Sequence, residues 1–277
     1  MQTLTTLEEL RAARAKLRGT FGLVPTMGYL HVGHLSLAQR AKKECDHVGA
    51  SIFVNPTQFG PTEDLAKYPR DLPRDLALLE NAGVDLVWTP SPEIVYPRDF
   101  QTYVTVENVT KPLEGARRPG HFRGVTTVVA KLFNALTPDK AYFGQKDAQQ
   151  VVVIKQMTRD LNFPVEIIVC PTVRESDGLA LSSRNVYLNA EQRIAATVLY
   201  RALCAAKELY ERGERDGSKL RAVMSELIAR EPSAQLDYVS AADRETLAEL
   251  ERIERGALLS LAVRFGATRL IDNFVLE

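Results

Sequence analysis

Cysteine is scarce in this chain. Only three of its 277 residues are cysteines, and these residues, Cys45, Cys170 and Cys204, lie far apart in the sequence. An odd number of cysteines without C-x-x-C spacing argues against both a disulfide framework and a zinc site built from thiolates. We therefore expect three buried free thiols.

The chain also lacks an excess of either charge and any long hydrophobic run. Thirty-five basic residues balance thirty-five acidic residues, so the formal net charge at pH 7 is zero. This balance removes the main electrostatic reason to expect nucleic-acid binding. No segment approaches about 18 uninterrupted apolar residues, and the amino-terminal sequence has no basic stretch followed by an apolar one. We expect a cytoplasmic protein with no membrane segment.

The length allows a substantial hydrophobic core. At roughly 150 residues per domain, 277 residues predict about two domains. Short apolar runs that do not alternate with polar residues are typical of strands buried on both faces. Such runs lie at 21–25, 48–54, 84–88, 141–143 and 165–170. Helical periodicity separates several of them, most clearly the apolar stripe at 125–136, and this alternation predicts a parallel, doubly wound α/β sheet.

The pattern changes after Pro171. A polar loop covers residues 172–189, and charged helical stretches follow it. Runs typical of β-strands then occur at 236–240, 258–263 and 269–275. We expect an amino-terminal domain over residues 1–172 and a smaller α+β domain over residues 173–277.

The first candidate site follows the first long strand. Residues 25–34 are Pro-Thr-Met-Gly-Tyr-Leu-His-Val-Gly-His and lead into a helix that we expect to begin near Gly33. Glycine lets a backbone approach a ligand closely, and the free N–H groups and dipole of a helix start attract phosphate. His31 and His34 would add two imidazole donors. The alternative is that both histidines are hydrogen-bonded turn residues without a functional role.

Two better-known motifs do not describe this loop. It lacks the Gly-Lys-Ser/Thr of a phosphate-binding P-loop and the spacing of the dinucleotide-binding G-x-G-x-x-G. A zinc site would need a third ligand, and His47 and His121 are the only other histidines. We do not expect zinc here.

Three further loops carry polar side chains suited to small-molecule chemistry. These loops are Val-Asn-Pro-Thr-Gln-Phe-Gly at 54–60, the segment 142–150, and Leu-Ser-Ser-Arg-Asn at 181–185. The amide of Gln58 suits hydroxyl and carboxylate groups, whereas Lys146 and Arg184 suit phosphate. Each loop has an ordinary alternative: a turn at Asn-Pro, an N-cap at Asp147, and a solvated surface loop. Their recurrence in a chain of zero net charge favours a polyphosphate ligand.

Five motifs, in this order, resemble those of the pantothenate synthetase family, the pantoate–β-alanine ligases. They are Pro-Thr-Met-Gly-x-Leu-His-x-Gly-His at 25–34, Val-Asn-Pro-x-Gln-Phe at 54–59, Arg-Pro-Gly-His-Phe at 118–122, Phe-Gly-Gln-Lys-Asp at 143–147 and Leu-Ser-Ser-Arg-Asn at 181–185. The His-x-Gly-His element alone is shared with nucleotidylyltransferases and class I aminoacyl-tRNA synthetases. The order of all five motifs makes an accidental match improbable.

The resemblance implies a two-step reaction. ATP and pantoate would form pantoyl adenylate and pyrophosphate, after which the amine of β-alanine would attack the acyl carbon and release AMP. The resemblance also implies Mg²⁺ bound with ATP, a Rossmann-like amino-terminal domain, a carboxy-terminal domain that acts as a lid, and a homodimer. The ligands would then be small molecules, with no role for nucleic acid or a membrane.

Individual residues carry over from the family by position. The implied ATP site comprises Met27, Gly28, Tyr29, Leu30, His31, Val32, Gly33, His34, Gly144, Gln145, Lys146, Asp147, Val173, Leu181, Ser182, Ser183 and Arg184. The implied binding residues for the pantoate and β-alanine substrates are Gln58 and Gln150. His34 is the catalytic residue of the pattern, and His31, Lys146 and Arg184 would assist the chemistry at phosphate. We assign no metal ligand, because Arg74 precedes Asp75 where some relatives have another acidic residue.

Two other classes of function remain open from the residues alone. A small-molecule nucleotidylyltransferase would share His31 and His34 but would not need Gln58 and Gln150. A noncatalytic nucleotide-binding regulator would bind ATP without releasing pyrophosphate. A tRNA synthetase is disfavoured by the short chain and by the lack of a basic appended domain.

Overall fold

The computed structural model describes residues 1–60 and 65–277, and its contacts divide the chain into two compact units. Unit 1 comprises Met1–Gly144 and Val153–Pro171, and unit 2 comprises Gln145–Val152 and Thr172–Glu277. The short segment Gln145–Val152 therefore groups with the carboxy-terminal part of the chain, although its neighbours in sequence on both sides belong to unit 1.

Unit 1 contains a six-stranded parallel sheet. Its strands are β1 (Gln2–Leu4), β2 (Phe21–Thr26), β3 (His47–Ile52), β4 (Leu86–Trp88), β5 (Lys140–Gly144) and β6 (Glu166–Cys170). Their order across the sheet is β1-β4-β3-β2-β5-β6, and each neighbouring pair is parallel. The predicted doubly wound sheet is confirmed. Sequence reasoning did not predict β1, a strand of three residues of which Gln2 and Thr3 are exposed.

The strand order creates one special position. From β2 the chain adds β3 and β4 on one side, and it adds β5 and β6 on the other. In open α/β sheets, ligands bind beyond the carboxyl ends of the strands where the order reverses in this way. That position lies between β2, which ends at Thr26, and β5, which ends at Gly144.

Helices cover both faces of this sheet. They are α1 (Leu7–Arg14), α2 (Val32–Glu44), α3 (Leu72–Asn81), α4 (Pro92–Val95), α5 (Glu114–Arg117), α6 (His121–Leu136) and α7 (Ala148–Asp160), of which the last begins in unit 2. Buried apolar residues of α2 and α3, such as Leu37 and Leu79, pack with Val24, Val48 and Val87 from the strands. Full burial of such side chains stabilises the fold by about 1.5–3 kcal/mol each.

Unit 2 is built around a three-stranded antiparallel sheet. Its strands are β7 (Gln235–Ala242), β8 (Ala257–Phe265) and β9 (Thr268–Leu276), and its helices are α8 (Ala190–Ala195), α9 (Val198–Glu211) and α10 (Gly217–Ala229). The apolar faces of α9 and α10 pack against each other and against this sheet, in a core that includes Leu203, Leu220 and Leu261. The predicted α+β character of this part is confirmed.

Two other expectations can be compared with the structure. All three cysteines are free, but only Cys45 and Cys170 are buried, so the prediction of a buried thiol was wrong for Cys204, which is half-buried on α9. None of the helices among residues 1–60 and 65–277 combines the length and apolar character needed to cross a membrane.

Candidate active site

A tight turn follows β2 at the reversal of strand order. Gly28 has φ 83° and Tyr29 has φ 51°, so both residues adopt left-handed backbone conformations. A Cβ at Gly28 would lie 3.0 Å from Ile52 Cγ2 and 3.1 Å from Asp75 Oδ2. Conformation and space therefore both favour glycine at this position.

The carboxylate of Asp75 holds this turn in place. Its Oδ2 accepts a hydrogen bond from the Tyr29 N–H at 2.6 Å, and its Oδ1 accepts one from the Leu30 N–H at 2.7 Å. Asp75 is 1% exposed. Burial raises the pKa of the Asp75 carboxyl, whereas the two N–H donors and Arg74 act in the opposite direction.

This contact corrects one expectation from the sequence. We expected the free backbone N–H groups of the helix start to attract phosphate, but the His34 N–H donates to the His31 carbonyl at 2.9 Å. The N–H groups of Tyr29 and Leu30, just before the helix, bond to Asp75. The Gly33 N–H is also engaged, because it donates to His31 Nδ1 at 3.1 Å. Sequence reasoning missed the role of Asp75 because the residue lies 45 positions beyond Leu30. Among the groups of this loop, the histidine side chains thus become the main candidates for phosphate contact.

His31 and His34 cap the start of α2 reciprocally. His31 is the N-cap residue and accepts from Gly33 N–H, while His34 Nδ1 accepts from the His31 N–H at 3.3 Å. A ring nitrogen that accepts a hydrogen bond carries no proton, so each neutral imidazole has its proton on Nε2. The two ring centroids are 4.1 Å apart. The fold therefore provides two adjacent Nε2–H donors at a helix start.

Gln58 lies in a short 3₁₀ turn, Pro56–Gln58, that follows β3. Asn55 Oδ1 accepts from the Thr57 N–H at 3.3 Å, and Asn55 Nδ2 donates to the Gly124 carbonyl at 3.1 Å, so backbone partners fix the orientation of this amide. Asn55 Nδ2 also donates to Gln58 Oε1 at 2.9 Å. The Gln58 side chain is thus oriented with its oxygen engaged, which leaves its NH₂ as the group suited to a substrate oxygen.

His121 and Arg118 hold the same turn from α6 and the loop before it. His121 Nδ1 contacts the Gln58 carbonyl at 2.8 Å, and Arg118 Nη1 contacts His121 Nε2 at 3.1 Å. A carbonyl can only accept and a guanidinium can only donate, so the ring is neutral with its proton on Nδ1. A Cβ at Gly124 would collide with the Thr57 carbonyl, which shows how closely α6 packs on this turn.

The segment with Lys146 is a 3₁₀ turn, Gln145–Asp147, at the start of α7 in unit 2. Asn273 on β9 donates from Nδ2 to the carbonyls of Gln145 at 2.9 Å and Lys146 at 2.8 Å. Its Oδ1 accepts from Gln145 Nε2 at 3.0 Å. Lys146 Nζ lies 3.8 Å from Asp147 Oδ1, and its side chain is 21% exposed.

The loop after Thr172 is held by an ion pair between half-buried Arg174 and buried Asp272. Arg174 Nη1 donates to Asp272 Oδ2 at 2.6 Å, and Nη2 donates to Oδ1 at 2.9 Å. The same guanidinium lies 4.9 Å from the ring centroid of Tyr200 and 5.1 Å from that of Phe274. Leu181 N–H donates to the Val173 carbonyl at 3.0 Å, so the two ends of this loop are adjacent.

The Ser-Ser-Arg segment continues from this loop into a 3₁₀ helix, Ser183–Tyr187. Ser182 Oγ accepts from the Arg184 N–H at 3.2 Å, and Asn185 Nδ2 donates to the Ala180 carbonyl at 3.1 Å. Ser183 is buried, whereas Ser182 and Arg184 are half-buried. Local hydrogen bonds therefore order the backbone around Arg184.

The predicted site residues are distributed over both units. Unit 1 contains 27–34, Gln58 and Gly144, of which 27–34 and Gly144 adjoin the strand-order reversal and Gln58 follows β3. Unit 2 contains 145–147, Gln150, Val173 and 181–184. In the described part of the chain, no group of three or more His, Cys, Asp or Glu side chains is arranged to hold a metal ion.

Comparison with known proteins identifies the family. The sequence profile described as Pantoate-beta-alanine ligase matches residues 2–275 of this chain. The chain belongs to the pantoate–β-alanine ligase family. The resemblance seen in the five motifs is confirmed, and with it a ligase of pantothenate biosynthesis. This outcome decides against the nucleotidylyltransferase and the noncatalytic regulator.

Relatives of the pantoate–β-alanine ligase family match along the whole chain. The pantothenate synthetase of Roseiflexus sp. (strain RS-1) is 65% identical over 277 residues, which is all of both chains. The crystal structure of pantothenate synthetase from Thermus thermophilus has a TM-score of 0.95 at 52% identity and 99% coverage of both chains. The pantoate-beta-alanine ligase from Francisella tularensis, solved with Beta-gamma ATP and Beta-alanine, has a TM-score of 0.82 at 35% identity, with 99% of this chain and 97% of that chain covered.

Proposed function

We propose that this ligase joins pantoate to β-alanine in two steps and converts ATP to AMP and pyrophosphate. In the first step a pantoate carboxylate oxygen attacks the α-phosphorus, and the bond from that phosphorus to the bridging oxygen of pyrophosphate breaks. In the second step the amine of β-alanine attacks the acyl carbon, and the bond to the AMP oxygen breaks. The amine loses a proton as pantothenate forms.

The observation that carries this proposal is the reciprocal cap of His31 and His34. It holds two Nε2–H donors at the start of α2, beside the reversal of strand order. Attack at the α-phosphorus increases the charge on the phosphate oxygens. Donors whose positions are fixed beforehand stabilise such charge in the transition state more than in the ground state, because they need no reorganisation during the reaction. We assign His34 as the catalytic donor and His31 as its companion.

Lys146 and Arg184 would stabilise the pyrophosphate that leaves. Both are cationic, and neither residue needs to act as a nucleophile, because the substrate carboxylate attacks directly. The half-buried setting of Lys146 supports this role, since partial exclusion of water strengthens its attraction to phosphate. The remaining contacts to ATP would come from Met27–His34, Gly144–Asp147, Val173 and Leu181–Ser183.

Gln58 and Gln150 would bind the organic substrates. Gln58 is 8% exposed, and its side-chain oxygen accepts from Asn55, so its NH₂ is the group that would donate to a pantoate oxygen. A neutral amide recognises hydroxyl and carboxylate groups by hydrogen bonding, and it does not compete with the cationic groups for phosphate. This division of roles supports separate recognition of pantoate and ATP.

Mg²⁺ would enter with ATP. It commonly keeps several waters and binds substrate phosphates with few protein ligands. This mode needs no cage of side chains, and the described part of the chain has no group of three or more His, Cys, Asp or Glu side chains that would form one. When bound, the ion would neutralise charge on the phosphates of the leaving group.

A stoichiometric assay tests the proposed reaction. AMP and pantothenate are measured with ATP, Mg²⁺, pantoate and β-alanine, and each component is omitted in turn. We expect one AMP per pantothenate, and no pantothenate when any component is missing. Formation of ADP in place of AMP would overturn the adenylate mechanism. Assembly as a homodimer stays a prediction from the family resemblance. Light scattering on the protein as it elutes from a size-exclusion column measures its mass and so tests this prediction.

A further inference from the structure

We propose that Asn273 is a positioning residue that sets where Lys146 lies. The proposal rests on the phosphate-binding role proposed above for Lys146. A residue on β9, the last strand, would thus fix the position of Lys146, which lies 127 positions earlier in the sequence. Asn273 would not touch a substrate in this role, but would act through the backbone of the Lys146 turn.

The hydrogen bonds of Asn273 account for all the polar groups of its side chain. Both N–H groups of Nδ2 donate to backbone carbonyls, at 2.9 Å to Gln145 and 2.8 Å to Lys146, and Oδ1 accepts from Gln145 Nε2 at 3.0 Å. The residue is 4% exposed. A buried amide that is satisfied entirely by one short turn fixes that turn tightly, because each lost contact would leave a buried polar group without a partner.

The neighbouring residue on β9 holds a second loop. Asp272 pairs with Arg174, which precedes the loop that returns at Leu181. The turn with Lys146 also groups with unit 2 rather than with the parallel sheet from which it emerges. The hydrogen bonds of Asn273 and this grouping both tie the Lys146 turn to the antiparallel sheet of unit 2, and Asp272 ties a second loop to the same strand.

The consequence concerns the ammonium group of Lys146. A 3₁₀ turn of three residues, Gln145–Asp147, has few hydrogen bonds of its own. Without Asn273 its backbone would be free to shift, and the position of the Lys146 ammonium would shift with it. Misplacement of a catalytic group by about 1 Å can cost on the order of 10²-fold in rate.

The test combines substitutions at Asn273 and Lys146. Asn273→Asp keeps the size and the acceptor for Gln145 but removes both donors, and Asn273→Ala removes all three contacts. Both should lower the rate of pantoate-dependent pyrophosphate–ATP exchange by about 10- to 100-fold. Ser260→Ala is the matched control, because Ser260 pairs with Asn273 across β8 and β9 and is also buried. We expect this control to keep the parent rate and the parent thermal unfolding midpoint.

A double-substitution cycle separates positioning from stability. If Asn273 acts through Lys146, Asn273→Asp should lower the rate by less than about twofold when Lys146→Ala is already present. The proposal would be overturned if the rate loss of the double variant equalled the product of the losses of Asn273→Asp and Lys146→Ala. It would also be overturned if both Asn273 variants kept the parent rate. Failure of both variants to fold would assign Asn273 to stability alone and would also overturn it. If Lys146→Ala itself keeps the parent rate, the role proposed for Lys146 fails instead.

Discussion

His34 accepts a hydrogen bond from the backbone N–H of His31 through Nδ1, at 3.3 Å. One nitrogen of the ring thus has a structural task at the helix start, and the other carries the proton proposed to donate to phosphate. Because the two tasks belong to different atoms, amide side chains of different length can separate them. The oxygen of Asn can occupy the Nδ1 position, and the nitrogen of Gln can occupy the Nε2 position.

His34→Asn should keep the cap and lose the donor. We expect adenylate formation to fall by about 10²–10³-fold, as is typical when one such donor is removed, with little change in thermal unfolding. His34→Gln keeps a donor near Nε2 and should retain more activity than His34→Asn. His47→Asn, at the amino end of β3, is the control. A parent single-turnover rate in His34→Asn would reject the catalytic assignment.

His121 should affect pantoate through Gln58. His121→Asn can still donate to the Gln58 carbonyl from the Nδ1 position, whereas His121→Gln cannot. The Gln58 carbonyl would keep only its long contact of 3.4 Å from Arg118 Nη2. Loss of one hydrogen bond costs about 0.5–1.5 kcal/mol, so we expect His121→Gln to raise the KM for pantoate by roughly two- to tenfold and His121→Asn to stay near the parent. Gln58→Ala shows how far the KM for pantoate rises when the Gln58 amide is removed altogether. Equal changes in the KM values for ATP and pantoate would argue against this role.

Asp75→Asn should loosen the turn before α2. Asn has one acceptor oxygen and would turn its NH₂ toward one of the two backbone N–H groups that the carboxylate now holds. We expect unfolding to become easier by about 1–3 kcal/mol and adenylate formation to slow. Asp71→Asn is a matched control on the same helix, since Asp71 is the N-cap of α3 and Asn caps equally well. An unchanged unfolding midpoint in Asp75→Asn would contradict the account.

The Ser182–Arg184 segment should become more protected when nucleotide binds. Ser182 and Arg184 are half-buried, and the hydrogen bonds from Arg184 to Ser182 and from Asn185 to Ala180 join only neighbouring residues, so the segment can open without disturbing the core before phosphate arrives. Hydrogen exchange over residues 176–186, with and without ATP and Mg²⁺, measures this effect. We expect slower exchange with both ligands present and no change with Mg²⁺ alone. Equal exchange in all samples would show that this loop does not close on ATP.

The sequence predicted the parallel sheet well because its central strands, β2 to β5, are largely buried on both faces. Runs such as Val48–Val54 are apolar without alternation, and the corresponding strand β3 spans His47–Ile52. β1 escaped prediction because Gln2–Leu4 is too short and too exposed to show any period. Cys204 was predicted to be buried from its residue type, but it lies at a half-buried position of α9.

The positions of candidate site residues were suggested by motif, but their supports were not. Asp75 and Asn273 each bond to backbone atoms far away in sequence, 45 and 127 positions from Leu30 and Lys146. Such contacts leave no local pattern, since a carboxylate on a helix and an amide on a strand are ordinary in isolation. For the same reason the sequence could not show that Asp75 engages the N–H groups of Tyr29 and Leu30.

The most direct test of the central claim is pantoate-dependent exchange of labelled pyrophosphate into ATP without β-alanine. A pantoyl adenylate that forms before the amine attacks makes the first step reversible on its own. We therefore expect exchange with ATP, Mg²⁺ and pantoate, none without pantoate, and a loss of about 10²–10³-fold in His34→Asn. Exchange that strictly requires β-alanine would contradict the two-step account.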